Sequence, residues 1–253
     1  LEEAVKYLKK TLEIKDNFFQ AQINLAQVLN DLGRLKEAEI NFKKAIEIDP
    51  NIYNSYFLLA NVLISQKKYD EAIVNLNKTI ELKPNLFEAY KILGAILKEI
   101  GELKEAEIIC KKYIKFDPQN ALIYSILGDT YLKMGKNKEA EEYLLKSIHI
   151  SPDSPESNLT LGNIYKVINN LDKAEKYYRK AIEHKSNYAL AYLNLGAILE
   201  EKGNLKEAQN FILKAIEIQP RWGEAYSNLG LLLINLGKIK EAESICNKAI
   251  EIN

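Results

Sequence analysis

The sequence predicts an all-α solenoid of antiparallel helix pairs, and three observations carry that reading. Pro50, Pro84, Pro118 and Pro152 stand 34 residues apart, and two further steps land on Ser186 and Pro220. With the prolines at repeat position 32, position 7 is leucine in every repeat (Leu25, Leu59, Leu93, Leu127, Leu161, Leu195, Leu229). Position 8 is always tiny (Ala26, Ala60, Gly94, Gly128, Gly162, Gly196, Gly230). A fixed period of this length marks units that bury their apolar faces only against their neighbours.

Each element of the repeat has a physical reason. The first helix carries an aromatic at position 4 in most repeats (Tyr56, Tyr90, Tyr124, Tyr192, Tyr226), followed by the leucine and the tiny residue. Helices packed about 8–10 Å apart need small residues where their backbones approach, and position 8 is that place on the first helix. The turn falls at position 15: Gly33, Gly101, Gly135, Gly203 and Gly237, with Lys67 and Asn169 as departures. Glycine ends a helix in the left-handed conformation, which asparagine tolerates and lysine tolerates poorly. The second helix brings alanine at position 20, from Ala38 to Ala242, as its own close-approach residue. It carries Ile46, Ile80, Ile114, Ile148, Ile182, Ile216 and Ile250 at position 28, expected to fill space beside the contact. Glu39–Lys43, Glu107–Lys111 and Glu175–Arg179 are spaced for favourable i,i+4 pairs on a solvated face. The proline cannot continue this helix and marks its end. Asn51, Asn85 and Asp153 follow it and are expected to cap the next helix. The repeats are therefore 19–52, 53–86, 87–120, 121–154, 155–188, 189–222 and 223–253, after a half repeat at 1–18, giving one array of fifteen helices.

The pattern resembles the tetratricopeptide repeat family along the whole chain. Ala191-Tyr192-Leu193-Asn194-Leu195-Gly196 and Lys206-Glu207-Ala208 are similar to its consensus. The resemblance implies a right-handed superhelix of antiparallel helix pairs. It also implies a concave groove lined by positions 2, 5, 6, 9, 12 and 13 of the first helices, where peptides or partner proteins dock. A consensus-derived array would have repaired the irregularities at Lys67, Asn137, Asn158 and Ser186.

Composition narrows the partners. Formal net charge is zero, from 35 basic and 35 acidic residues, so a clustered positive field for nucleic acid or an anionic membrane is not expected. No apolar run approaches the roughly 20 residues of a membrane span, and no signal-peptide pattern appears. Unpaired cysteines and the missing signal lead to an intracellular, cytoplasmic expectation. Cys110 and Cys246 share position 24, a core phase. Four repeats separate them, on the order of 40 Å at about 10 Å per repeat, so they cannot form a disulfide. His149 and His184 lie at neighbouring phases in adjacent repeats without a third ligand, so no metal or other cofactor is expected. No phosphate loop, paired-histidine zinc motif or Cys-x-x-Cys pair occurs, and the chain is read as a non-enzyme. Asn77-Lys78-Thr79 and Asn158-Leu159-Thr160 match the glycosylation pattern by chance, since Thr79 falls at a core phase.

The groove carries the informative variation. Position 6 reads Asn24, Leu58, Ile92, Ile126, Thr160, Asn194 and Asn228; position 9 reads Gln27, Asn61, Ala95, Asp129, Asn163, Ala197 and Leu231. A primary amide both donates and accepts, and can hold an extended peptide by its backbone. The expected peptide contacts are Asn24, Gln27, Asn61, Lys91, Asp129, Asn163, Asn194 and Asn228. The asparagines resemble in part the rows in the repeat arrays of O-GlcNAc transferase-type proteins, interrupted here by Leu58, Ile92 and Ile126. Those three either offer an apolar subsite or pack between adjacent first helices. Arrays that clamp a C-terminal carboxylate pair Lys at position 5 with Asn at position 9; here Lys91 is followed by Ala95, and the next repeat has Ile126 where Asn is wanted, so that reading is excluded.

Two functions stay open: a protein-interaction scaffold binding a peptide or partner protein, and a substrate-recognition arm of a larger enzyme such as a glycosyltransferase. Both ends of the sequence fall within a repeat, which suggests an array continuing in a longer chain. Ile245, Ile250 and Ile252 on the last helix are then expected to support weak end-to-end self-association.

Overall fold

The computed structural model describes residues 1–252 and is all-helical among them. By backbone proximity the chain forms two compact units, Leu1–Pro118 and Gln119–Asn253. The first unit holds α1 (Glu2–Ile14), α2 (Phe19–Asp31), α3 (Leu35–Ile48), α4 (Tyr53–Ser65), α5 (Tyr69–Leu82), α6 (Phe87–Glu99) and α7 (Leu103–Ile114). The second holds α8 (Ala121–Lys133), α9 (Asn137–Ile150), α10 (Pro155–Val167), α11 (Leu171–His184), α12 (Ala189–Glu201), α13 (Leu205–Ile218), α14 (Gly223–Asn235) and α15 (Ile239–Ile252). The fifteen helices match the expected number, and α2, α4, α6, α8, α10, α12 and α14 begin on the expected repeat starts. Within each unit a helix packs on its hairpin partner and on the helix of the next hairpin.

The small residue at position 8 is required by the side chain at position 24. A Cβ on Gly162 would lie 2.4 Å from the Tyr178 ring; one on Gly196 would lie 2.6 Å from Ile212, and one on Gly128 2.5 Å from Leu144. Cys110 occupies the same phase and is fully buried, as expected, and burial pushes its thiol up to about 12. Cys246 is half-buried against Gly230, and both cysteines are free thiols. The isoleucines at position 28 are less central than expected: Ile80 is buried, Ile250 is exposed and the others are half-buried. The phase pointing into the helix contact is position 27, where Ala45, Thr79, Tyr113, Ser147, Ala181, Ala215 and Ala249 are buried.

Position 15 adopts the left-handed conformation throughout, including Lys67 at φ 60° and Asn169 at φ 58°. Nothing lies within 4 Å of a Cβ built on Gly33, Gly135 or Gly203, so the glycine preference there is conformational, not steric. The turns close by paired bonds, for example Gly33 N–H to Asn30 C=O at 2.9 Å and Arg34 N–H to Leu29 C=O at 2.8 Å. This is the Schellman geometry, which satisfies the last carbonyls of the helix.

The expected caps need correction. Each first helix starts one residue later than Asn51, Asn85 or Asp153 would require, so the capping residue is at position 34. Ile52 and Leu86 offer no side-chain bond there, whereas Ser154 accepts from Ser157 N–H and Asn120 from Ile123 N–H. The tyrosine at position 4 instead serves the preceding proline step. Tyr56, Tyr90 and Tyr226 donate their hydroxyls to the carbonyls of Pro50, Pro84 and Pro220 at 3.1, 2.9 and 3.2 Å.

Glutamates at position 21 tie hairpins together. Glu39 on α3 accepts from Lys43 at 2.7 Å, from Lys68 at 2.8 Å and from Gln66 at 3.1 Å. Burial raises the affinity of this carboxyl for its proton, but Lys43, Lys68 and Gln66 outweigh it and hold the group down to about 2. Glu175 repeats the arrangement with Lys202 and Arg179, at 2.7 and 2.8 Å. The expected i,i+4 pairs on the second helices all form.

Candidate protein-docking surface

In the first unit, Asn24 and Gln27 lie three residues apart on α2, on one face and exposed. Asn61 on α4 is half-buried. The three meet at a concavity of about 630 Å³, with Leu58 and Asn30 also in its wall. Gln20 donates to Asn24 Oδ1 at 2.8 Å and fixes the orientation of that amide. Lys91 on α6 is half-buried, its ammonium 5.9 Å from the Phe87 ring centroid, and it is not among the residues lining this concavity. Leu58 and Ile92 are half-buried as well, so each retains some surface for a ligand.

In the second unit, Asp129 on α8, Asn163 on α10, Asn194 on α12 and Asn228 on α14 are all half-buried. Asn163 Oδ1 accepts from Asn194 Nδ2 at 3.0 Å and from the Tyr178 hydroxyl at 2.8 Å. Both lone pairs of that oxygen are thus occupied within the protein. The Asn163 acceptor thus holds α10, α11 and α12 together, and of its amide the Nδ2 donor is the part left for a ligand. Ile126 is half-buried, and Thr160 is buried with its hydroxyl donating to Glu156 C=O at 3.1 Å. The asparagines are therefore not one equivalent row.

A further cluster escaped the sequence reading. Tyr188 precedes α12, with Lys185 Nζ 4.5 Å from its ring centroid and 3.4 Å from Glu156. Burial, with Glu156 and Asp129 adding negative charge, pushes its hydroxyl up to about 12. Glu156 and Asp129 belong to groove phases 2 and 9, which was visible in the sequence; that Tyr188 sits among them was not.

These groups donate and accept hydrogen bonds and carry charge. His184 Nδ1 lies 3.7 Å from an Asp153 carboxylate and His149 is exposed. Among the described residues no cluster of His, Cys, Asp and Glu could hold a metal ion, and no helix is long and apolar enough to cross a membrane. Asn158, the second of the two glycosylation-pattern asparagines, is fully buried.

Sequence models of the tetratricopeptide repeat match residues 17–85, residues 63–129 and 169–229, and residues 121–154 and 223–253. The chain belongs to the tetratricopeptide repeat family. Tetratricopeptide repeats typically mediate protein–protein interaction. Among solved structures, MamA is 30% identical over 63% of this chain and 94% of MamA, with a TM-score of 0.57. Yeast Tom70 is 22% identical over the whole of this chain and 55% of Tom70, with a TM-score of 0.73. A tetratricopeptide repeat protein from Parabacteroides merdae is 18% identical over 93% of both chains, with a TM-score of 0.75. The latter two share the fold with this chain. No curated protein matches the sequence.

Proposed function

We propose that this tetratricopeptide repeat chain is a protein-interaction scaffold that holds an extended segment of a partner protein on the faces of its first helices. The concavity that brings Asn24, Gln27 and Asn61 together beside Leu58 carries the reading. Two exposed amides on one face of α2 and a third on α4 can bond a peptide backbone, while Leu58 accepts an apolar side chain. Lys91 supplies a further polar group in this unit; the second unit, taken by itself, offers the same chemistry through Asp129, Asn163, Asn194 and Asn228, with the Asn163 acceptor bonded to Asn194.

Peptides selected on the protein by display provide the test. Replacing Asn24 and Asn61 together by alanine is expected to weaken the selected peptides by about 1–3 kcal/mol, through the loss of two hydrogen bonds. Unchanged affinity in a folded double variant would sink the reading. Asn194→Ala is the wrong probe, because it also removes the Asn194–Asn163 bond that joins α12 to α10.

A further inference from the structure

Two repeats lack the tyrosine at position 4: 155–188, with Asn158, and the first full repeat. In the latter, Gln22 stands where Tyr56, Tyr90 and Tyr226 close the junction with the preceding turn. Gln22 reaches the equivalent carbonyl, that of Asp16, only at 3.5 Å. Its side chain is buried, at 5% exposure, and Oε1 has no hydrogen-bond partner. Beside it lies a cavity of about 570 Å³ lined by Asp16, Asn17, Gln22, Lys44, Glu47 and Ile48. An adjoining hollow of about 430 Å³ shares Asp16, Gln22 and Lys44 and adds the apolar walls of Leu12, Leu25 and Ile40.

The rest of the chain shows what fills such a space. Position 26 is lysine in every repeat: Lys44, Lys78, Lys112, Lys146, Lys180, Lys214 and Lys248. In the last repeat Lys248 lies 5.1 Å from the ring centroid of Tyr226, whose hydroxyl reaches the proline carbonyl. In the first repeat the lysine and the carbonyl are in place, but the ring is replaced by a shorter amide. The space is within the size range of small-ligand pockets. Its lining includes Gln22, which carries an unmet acceptor that calls for a donor, and Lys44, a cation that favours an aromatic face.

We propose that this cavity receives the phenol ring of a tyrosine side chain from a partner protein, with the hydroxyl donating to Gln22 Oε1 or Asp16 C=O and Lys44 over the ring. The site does not rest on the groove reading, since neither Asn24 nor Gln27 lines it.

N-acetyl-tyrosinamide, titrated into the isotopically labelled protein and followed by amide and side-chain NMR shifts, is the direct probe. Saturable shifts are expected at Gln22, Lys44 and Glu47. The phenylalanine analogue, lacking the donor, is expected to bind about tenfold more weakly. Gln22→Tyr restores the residue used in other repeats, so it should fill the cavity from within, raise the melting temperature and abolish the shifts. Lys44→Ala, at an exposed rim position, should weaken binding about threefold and covers the case in which Gln22→Tyr does not fold. The proposal is overturned if tyrosinamide gives no saturable shifts at these residues or if the leucine analogue binds equally well. It is also overturned if folded Gln22→Tyr still binds, or if Lys44→Ala leaves the affinity unchanged. Loss of tyrosinamide binding in Asn24→Ala would place the ligand in the groove instead.

Discussion

Repeats 87–120 and 155–188 solve the same junction with opposite chemistry. In the first, Tyr90 is fully buried, its ring centroid 5.0 Å from that of Tyr113 and 6.4 Å from that of Phe116, and its hydroxyl meets Pro84 C=O. One side chain supplies both apolar area and the single donor that the carbonyl needs. In the second, Asn158 takes that place, fully buried. Its Nδ2 donates to Ser154 C=O at 2.8 Å and reaches Pro152 C=O at 3.5 Å, while its Oδ1 has no partner. Around it, Ser147, Ser154 and Ser157 share hydroxyl bonds of 2.8 and 2.9 Å. The amide replaces the donor but brings a buried acceptor with it, and such unmet groups are costly. The second repeat recovers packing elsewhere, by laying Tyr178 over Gly162 where the first repeat has only Cys110. A solenoid tolerates this exchange because its stability is close to a sum of repeat and interface contributions.

Three experiments press on the comparison. The largest effect is expected from Tyr178→Ala, which empties the space above Gly162 and releases Asn163. It should destabilise the second unit by about 3–5 kcal/mol, read from the shift of the urea unfolding curve. A loss under about 1 kcal/mol would mean that Tyr178 does not offset the polar junction. Next, native-state hydrogen exchange should find the amides of Leu161–Tyr165 about tenfold less protected than those of Leu93–Leu97, given one unmet buried acceptor. Equal protection would show that the serine network satisfies the junction as well as an aromatic ring does. The smallest effect lies in the turns. Lys67→Gly relieves a left-handed lysine and should stabilise by about 1 kcal/mol, whereas Asn169→Gly should gain only a few tenths, since asparagine adopts that conformation readily. Equal gains in the two melting temperatures would remove the turn from the account of why the polar repeat differs.

Helix positions were legible because the packing residues recur. The leucine at position 7, the tiny residue at 8 and the alanine at 20 placed every hairpin, and Gly33, Gly101, Gly135, Gly203 and Gly237 placed five of the seven turns. What recurs without being apolar was harder to use. Lysine at position 26 repeats as faithfully and glutamate at position 21 recurs in five of seven repeats, yet only the geometry shows Glu39 bridging to Lys68 and Lys44 facing a cavity. The caps were misplaced by one residue because a turn precedes these helices: Leu86 N–H meets Lys83 C=O at 3.2 Å, Ser154 N–H meets Ser151 C=O at 3.3 Å, and Asn51 N–H meets the Asp49 carboxylate at 3.0 Å. At the groove, positions 6 and 9 identified which residues share a face. They could not show that Asn163 is spoken for by Tyr178 and Asn194, because that depends on how far one hairpin is rotated on the next.

The contacts that hold each unit together join chiefly helices adjacent along the chain, with smaller ones from α8 to α10 and from α12 to α14, and each turn closes on its own helix. The consequence is kinetic. Few long loops must be closed before contacts reward the closure, so the entropic part of the folding barrier is low and folding falls among the fast, locally connected topologies. Any hairpin can serve as a nucleus, and growth then proceeds by adding the neighbour on either side. A chain built this way can begin to acquire native structure as soon as its first hairpins have left the ribosome, without waiting for the rest.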